Sequence, residues 1–186
     1  MSALHSDALA TLRAWEPPTP RDQKLRDRFV AHLLSQPDAM TRECFPEHLT
    51  AGALVLTPQA DAVLLNHHRK ADAWLAFGGH AEPGDRTLAG VAQRETREES
   101  GLADFAFDPV PLNLDEHLVT FCDQRGTVHH LDVRFVAVAS RDMSHEVSNE
   151  SLDVRWWPTD ALPEVYDDMR RLVEDAVDRV RQSSSS

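Results

Sequence analysis

Three glutamates share one face of a predicted helix, within the segment from Gly78 to Leu102. At about 100° per residue, seven side chains of this segment fall within a sector roughly 100° wide. They are Leu88, Val91, Ala92, Glu95, Glu98, Glu99 and Leu102. The face that should pack on the core thus continues as carboxylates, which repel one another and are costly to bury uncompensated. Arg94 and Arg97 are expected to project from other sides of the helix and not to neutralise all three.

A bound cation would relieve both the repulsion and the cost of burial. A solvated helix face is the common alternative for clustered glutamates, but these share the stripe of the apolar residues. Magnesium suits a few carboxylates, with waters and substrate phosphates completing its octahedron. Gly78 and Gly79 precede the helix and permit a close backbone approach, which can aim a carbonyl at a metal or amides at a phosphate. We interpret the segment as a magnesium site, with manganese as the alternative ion.

The elements that position this segment follow from hydrophobic periodicity. The predicted helices are Ser6 to Trp15, Arg21 to Ser35, Thr87 to Ser100 and Pro163 to Gln182. The predicted strands are Thr50 to Thr57, Ala62 to Asn66, Trp74 to Phe77, Leu131 to Ala139 and Asp153 to Trp157. This alternation of strands and helices indicates a mixed α/β domain.

The domain organisation is predicted in three parts. Residues 1–47 form a helical extension packed on the main domain, residues 48–182 form that domain, and residues 183–186 form a disordered polar tail. The extension carries no recognisable chemical signature. It either caps the pocket or forms the surface of a homodimer.

Composition restricts the class of protein. Hydrophobic residues make up 41% of the 186, enough for a core, and no apolar run could span a bilayer. The net charge of −12 argues against a nucleic-acid polymer as partner, whereas acids clustered around a cation remain compatible with a small phosphorylated substrate. Met1 to Trp15 does not resemble a signal peptide. Two cysteines, Cys44 and Cys122, favour a reducing compartment, so we expect a cytoplasmic protein.

The acidic segment resembles the Nudix box, in which glycine, five residues, glutamate and seven residues precede Arg-Glu-apolar-x-Glu-Glu-x-Gly-apolar. Gly79 matches the opening glycine. The second half is matched without a gap by Arg94, Glu95, Glu98, Glu99, Gly101 and Leu102. The chain departs from the pattern in having Asp85 for the first glutamate, eight residues (86–93) before the arginine, and Thr96 at an apolar position. The extra residue is placed in the loop before the helix, and the partner of the arginine is Asp85 or Glu82.

This resemblance implies an α/β/α sandwich on a mixed sheet and a pyrophosphohydrolase acting on a nucleotide or a nucleotide-like diphosphate. It implies Glu95 and Glu99 as the main magnesium ligands, assisted by the carbonyl of Gly78. Glu98 would bind a second metal or help to activate the nucleophile, and Arg94 belongs to the same catalytic set. The implied reaction is attack of a metal-activated water on a phosphorus of the diphosphate.

The residues that complete the site are less closely specified by the box. Glu98, Glu146 and Glu150 are the candidates for the general base, and the last two are equally compatible with a solvated loop. Arg69 and Lys70, after His67 and His68, are candidates to bind phosphate or are simply a polar strand end. Candidates to stack on a base, with core packing expected for at least one of them, are Trp74, Trp156 and Trp157.

One alternative metal site and two alternative functions compete with the hydrolase interpretation. His129 and His130 resemble a zinc pair, but no Cys/His spacing completes a tetrahedral set, so they are expected at the surface or in the pocket. An isomerase of the isopentenyl diphosphate type would need a cysteine near the diphosphate, and Cys122 lies instead in an expected hairpin turn. A nucleotide sensor without turnover is disfavoured by the complete set of glutamates. Hydrolysis is therefore the favoured interpretation.

Overall fold

The computed structural model describes residues 2–149 and 151–183. Its helices are α1 (Ala3–Ala14), α2 (Pro20–Ser35), α3 (Leu88–Ser100) and α4 (Asp167–Ser183). Its strands are β1 (Glu47–Leu56), β2 (Ala62–His68), β3 (Ala73–Leu75), β4 (Phe77–Gly79), β5 (Ala106–Asp123), β6 (Gly126–Val138) and β7 (Ser151–Pro158). All seven strands belong to one sheet.

The sheet is built around β1, which is hydrogen-bonded on both sides. The main order is β3-β2-β1-β6-β5, with β4 also paired to β1 and β7 to β2. β1 runs parallel to β6 along its whole length, from Glu47 opposite His129 to Leu56 opposite Val138. On its other side, residues 51–53 in the middle of β1 pair with β4, and residues 55 and 56 at its end pair with β2, both antiparallel. The sheet is therefore mixed, as predicted.

The two faces of the sheet are covered by different helices, because side chains alternate along each strand. On one face, Ala53 and Phe135 share a core with the buried residues of α1, α2 and α3. On the other, Leu54 and Val136 pack against Met169 and the rest of the buried face of α4. The predicted α/β/α sandwich is thereby confirmed.

Three elements differ from the sequence-based expectation. β5 was not predicted, because Pro109 and Pro111 interrupt its pattern, and the register with β6 shifts between Asp108 and Asn113 at this point. The single strand expected at Trp74 to Phe77 is two strands, β3 and β4. α4 begins at Asp167 rather than Pro163 and continues to Ser183; the rest of the predicted tail, residues 184–186, lies outside the described residues.

The N-terminal helices are joined to the sheet through a common core. Leu12 of α1 and Phe29 of α2 are fully buried in the same cluster as the residues of β1, β6 and α3. Asp7 of α1 accepts a hydrogen bond from the backbone N–H of Leu88, at 2.8 Å, and so satisfies a donor in the first turn of α3. α1 therefore contributes directly to the position of the helix that carries the glutamates.

We expect Phe29→Ala to destabilise the whole protein rather than the extension alone. The side chain is fully buried, and truncating a buried phenylalanine costs about 3–5 kcal/mol. Leu34→Ala on the same helix is the matched control, because Leu34 is 60% exposed, and it should change stability by less than about 0.5 kcal/mol. Urea unfolding monitored by fluorescence and circular dichroism would measure both. Loss of only an early, separate transition would show instead that the extension unfolds independently.

The helices within the described residues are short. The longest, α4, has 17 residues and a charged outer face. None of them is long and apolar enough to cross a membrane. Cys44 and Cys122 are both free thiols.

Candidate active site

A pair of glycines lets β1 and β4 approach closely below the acidic helix. Gly52 lies opposite Gly78 in the antiparallel register. A Cβ atom added to Gly78 would lie 2.6 Å from the Cα atom of Gly52, and one added to Gly52 would lie 2.4 Å from the carbonyl oxygen of Phe77. These glycines are required by the close backbone contact, since neither has a positive φ.

α3 is delimited by local signals. The Thr87 hydroxyl caps the helix by accepting a hydrogen bond from the Gly90 N–H, and Gly101 ends it in the left-handed conformation with φ of 69°. Thr96, at the position where the Nudix pattern has an apolar residue, is fully buried, and its hydroxyl donates to the Ala92 carbonyl at 2.7 Å. The threonine is therefore accommodated in the core without an unsatisfied polar group.

The three glutamates of the stripe differ in their exposure. The Glu95 and Glu98 side chains are 14% and 55% exposed, and Glu99 is buried at 7%. Glu99 accepts a hydrogen bond from the backbone N–H of Gly78 at 2.9 Å. The Glu95 carboxylate lies against Gly79, where an added Cβ atom would be 2.8 Å from its Oε1. The structure thus brings together Gly78, Gly79, Glu95 and Glu99.

The side chain of Arg94 does not point away from the glutamates, contrary to what its place on the helical wheel predicts. Its guanidinium contacts Glu95 at 3.1 Å and Glu98 at 3.0 Å. It also pairs with Asp85 at 3.0 Å and donates to the carbonyl of His80 at 2.8 Å. The long side chain can turn back along the helix, so that its position on the helical wheel did not predict its contacts. The partner of the arginine is Asp85 rather than Glu82, whose backbone N–H donates to Asp85.

The electrostatics of the cluster suit a divalent cation. One guanidinium faces Asp85, Glu95 and Glu98, so the group is acidic overall. Burial raises the pKa of Glu95 to about 6, because Arg94 only partly offsets the loss of hydration. A partly buried carboxylate whose charge is penalised in this way is stabilised by a cation. The oxygen donors of Glu95 and Glu99 are of the kind that magnesium prefers.

Glu146, one of the candidates for the general base, lies at the carboxyl end of α3. Its backbone N–H donates to the Ser100 carbonyl at 2.7 Å, and its side chain borders Gly101. The side chain is exposed, and the hydrogen bond places its loop at the end of the helix that carries Glu98 and Glu99. Glu150, the other loop candidate, lies outside the described residues.

Arg69 and Lys70 occupy an exposed turn after β2. Arg69 is engaged by the loop before β7, since it donates to the carbonyl of Asn149 at 3.2 Å and to that of Ser151 at 3.0 Å. Burial raises the pKa of the Cys122 thiol, and the charge of Lys70 opposes this rise, so Lys70 lies near the end of β5. Within residues 2–149 and 151–183, the ion pairs of Glu95 and Glu98 are with Arg94.

The tryptophans divide between core and surface. Trp156 is buried in the same core as α3, as expected for at least one of the three. Trp74 is stacked on His67 with ring centroids 5.1 Å apart, and it meets Trp157 edge-on at 5.2 Å. Both rings are partly buried and pack against the core on the α4 side of the sheet, and the role of stacking on a base stays a prediction.

One group of side chains with metal-ligating donor atoms was not predicted from the sequence. His48, His80, Cys122 and His130 converge, although they lie far apart in the sequence. His129 does not join them, because neighbouring residues of a strand point to opposite faces; it contacts Glu116 at 3.2 Å. No local spacing signals this cluster, since each ligand comes from a different segment.

A family model described as the NUDIX domain matches residues 46–176 of this chain. The chain belongs to the Nudix hydrolase family, and the resemblance of its acidic segment is thereby confirmed. A search of curated proteins gave no significant match.

Solved structures agree with this assignment at the level of the fold. The chain is similar to an Ap4A hydrolase from C. elegans, with a TM-score of 0.58 and 17% identity over 72% of this chain and 98% of that one. It is similar to a NUDIX-family hydrolase from Clostridium perfringens, with a TM-score of 0.57 and 18% identity over 72% and 97%. The match to a UDP-X diphosphatase has a TM-score of 0.54 and 15% identity, and covers 97% of this chain and 93% of that one. The TM-scores show a shared fold.

Proposed function

We propose that this protein is a magnesium-dependent hydrolase that cleaves the diphosphate linkage of a nucleotide or a nucleoside diphosphate derivative. The observation that carries the proposal is the convergence of Glu95 and Glu99 on the close-packed glycines of β4. Membership of the family supports hydrolysis of a pyrophosphate bond. Manganese is the alternative ion, because it accepts the same oxygen ligands.

In this proposal, Glu95, Glu99 and the Gly78 carbonyl hold the cation. When bound, magnesium supplies positive charge that neutralises the phosphate oxygens and lowers the pKa of a bound water. Arg94 is a positioning residue, since it orients Glu95 and Glu98 and anchors the loop through the His80 carbonyl. The hydrogen bond from Gly78 holds Glu99 in one orientation.

Proton removal from the attacking water is assigned to a carboxylate at the C-terminal end of α3. Glu98 is 55% exposed and can accept that proton directly. Glu146 is the second candidate, because its loop is hydrogen-bonded to the end of the same helix. Lys70 and Arg69 are exposed and can contact the phosphate, or the part of the substrate, that lies farther from the cation.

A substrate panel tests the activity. The purified protein would be incubated with dinucleoside polyphosphates, UDP-sugars, ADP-ribose, coenzymes and oxidised nucleoside triphosphates, with magnesium and with chelator. Release of phosphate, pyrophosphate and nucleoside monophosphate would be measured. We expect magnesium-dependent turnover of at least one class, and products labelled by ¹⁸O-water would identify the phosphorus attacked.

The same panel distinguishes hydrolysis from sensing. Tight nucleotide binding without turnover of any compound, in magnesium or manganese, would contradict the hydrolase and favour a sensor. A separate incubation with isopentenyl diphosphate, followed by chromatography of the product, tests the isomerase, and isomerisation there would also contradict the hydrolase. The position of Cys122 argues against that outcome, because its thiol lies among the three histidines.

A further inference from the structure

Four side chains from four separate segments meet at one end of the sheet. They are His48 of β1, His80 directly after β4, Cys122 of β5 and His130 of β6. Their donor atoms all lie within 4.8 Å of one another. None of them belongs to the carboxylate site described above. The parallel register places His48 opposite His130, and the hairpin of β5 and β6 returns Cys122 to them.

The distances within the cluster are those of ligands around one ion. The His48 and His80 Nε2 atoms are 2.9 Å apart. The Cys122 Sγ atom lies 3.4 Å from His80 Nε2 and 3.3 Å from His130 Nε2. In a tetrahedral zinc site with Zn–N of about 2.0–2.1 Å and Zn–S of about 2.3 Å, N···N and N···S distances are roughly 3.4 and 3.6 Å. The three observed distances are shorter than these by about 0.2–0.5 Å, and every other donor pair lies within 4.8 Å, so small side-chain shifts would accommodate one ion between the donors.

The orientation of His48 is fixed as metal ligation requires. Its Nδ1 atom donates to the carbonyl of Cys44 at 3.0 Å, which leaves Nε2 unprotonated and facing the cluster. The Nε2 atoms of His80 and His130 face the Cys122 Sγ atom, so that all three imidazoles present this nitrogen to the same small space.

We propose that His48, His80, Cys122 and His130 form a second metal site, of the zinc class, separate from the magnesium site. Three imidazoles and a thiolate are borderline-to-soft donors, which favour zinc over magnesium. Four protein ligands complete a tetrahedron, which is the arrangement of a structural site.

The location of the site indicates what the metal would hold in place. It would tie β1, β5 and β6 to the segment that follows β4. His80 comes immediately after Gly79, and its carbonyl accepts a hydrogen bond from Arg94. The metal would therefore fix one end of the loop between β4 and α3, which leads into the carboxylate cluster.

Metal analysis and cobalt spectroscopy test this site without an activity assay. The protein as purified should contain one zinc per chain after gel filtration. After zinc is removed with a chelator, Co²⁺ should produce the visible bands of a tetrahedral ion and a thiolate charge-transfer band in the near ultraviolet. Excess Mg²⁺ should not displace it, because the donor set is poor for a hard ion.

Variants assign the spectrum to these residues. Cys122→Ser should abolish the charge-transfer band, and His130→Asn should weaken Co²⁺ binding by at least about a hundredfold, more than the loss of a group that only orients a ligand. Cys44→Ser is the control, because Cys44 is the other thiol and lies outside the cluster. Glu99→Gln should retain zinc, which separates this site from the hydrolytic one.

Two results would overturn the proposal. One is wild-type protein that neither retains zinc nor gives the charge-transfer band with Co²⁺, which would indicate a hydrogen-bonded cluster without metal. The other is an unchanged band in Cys122→Ser. If that variant failed to fold, the wild-type metal content and spectrum would still decide the question.

Discussion

Glu99→Gln is expected to lower kcat/KM for diphosphate hydrolysis by roughly a hundred- to a thousandfold, because a metal contributes several kcal/mol to stabilising the transition state. Glu99 is 7% exposed and is oriented by the Gly78 N–H. Glutamine has the same shape and can keep this hydrogen bond, but it removes the negative charge that the cation requires. The loss should therefore come with a higher magnesium requirement.

Steady-state kinetics over a magnesium titration would measure this effect. Glu174→Gln is the matched control, because Glu174 is an exposed helical glutamate on α4. It should leave kcat/KM and the magnesium requirement unchanged. Circular dichroism and thermal unfolding would verify that both variants are folded. Turnover by Glu99→Gln at the wild-type rate would show that Glu99 is not a ligand.

Asp115→Asn is expected to destabilise the protein by about 3 kcal/mol at neutral pH, since it breaks a buried charge network. Asp115 is only 4% exposed and contacts Arg21 at 2.6 Å, Arg134 at 3.4 Å and Arg171 at 3.5 Å. Arg134 is itself buried and would lose one of its carboxylate partners. Asp153→Asn is the control, because the Asp153–Arg155 pair is exposed and should contribute less than about 1 kcal/mol.

The effect of Asp115→Asn should depend on pH. Burial raises the pKa of Asp115, but the hydrogen bond from His117 and the charge of Arg134 outweigh it and lower the pKa to about 2. An unfolded aspartate has a pKa of about 3.9. Because the folded pKa is the lower one, the carboxylate stabilises the native state above about pH 4, and this contribution is lost as the pH falls towards 2.

Urea unfolding of the wild type and the variant over a range of pH would measure this dependence. The difference in the free energy of unfolding should be constant above about pH 5 and should shrink below about pH 4, where the unfolded carboxylate becomes protonated. A difference that grew on acidification would contradict the assigned direction of the pKa shift. A difference below about 1 kcal/mol at neutral pH would show that the network does not depend on Asp115.

Much of the fold could be predicted because its signals are local. Helical periodicity located α3, and short apolar runs located β1, β2, β6 and β7. The family followed from the glutamate spacing, and a match over residues 46–176 confirmed it. β5 was missed, since Pro109 and Pro111 obscure a strand that is held mainly by its pairing with β6. Local periodicity does not report such pairing.

Part of the candidate site could also be predicted, because its signals are local in the sequence. Glu95, Glu98 and Glu99 were placed on one helical face by their spacing alone. The contacts of Arg94 were not, because a long side chain can reach groups on either side of its helix. The sequence also left the partner of Arg94 open between Asp85 and Glu82, and the conformation of the loop decided it.

By itself, the sequence determined the family, the mixed α/β class and the position of three carboxylates on one face of α3, because each depends on neighbours within a few turns of the chain. Only the tertiary structure decided which residues meet across the sheet. The parallel pairing of β1 with β6 brings His48 to His130, and the β5–β6 hairpin adds Cys122. Contacts of this kind are set by strand register and by burial over long separations, which residue spacing does not encode.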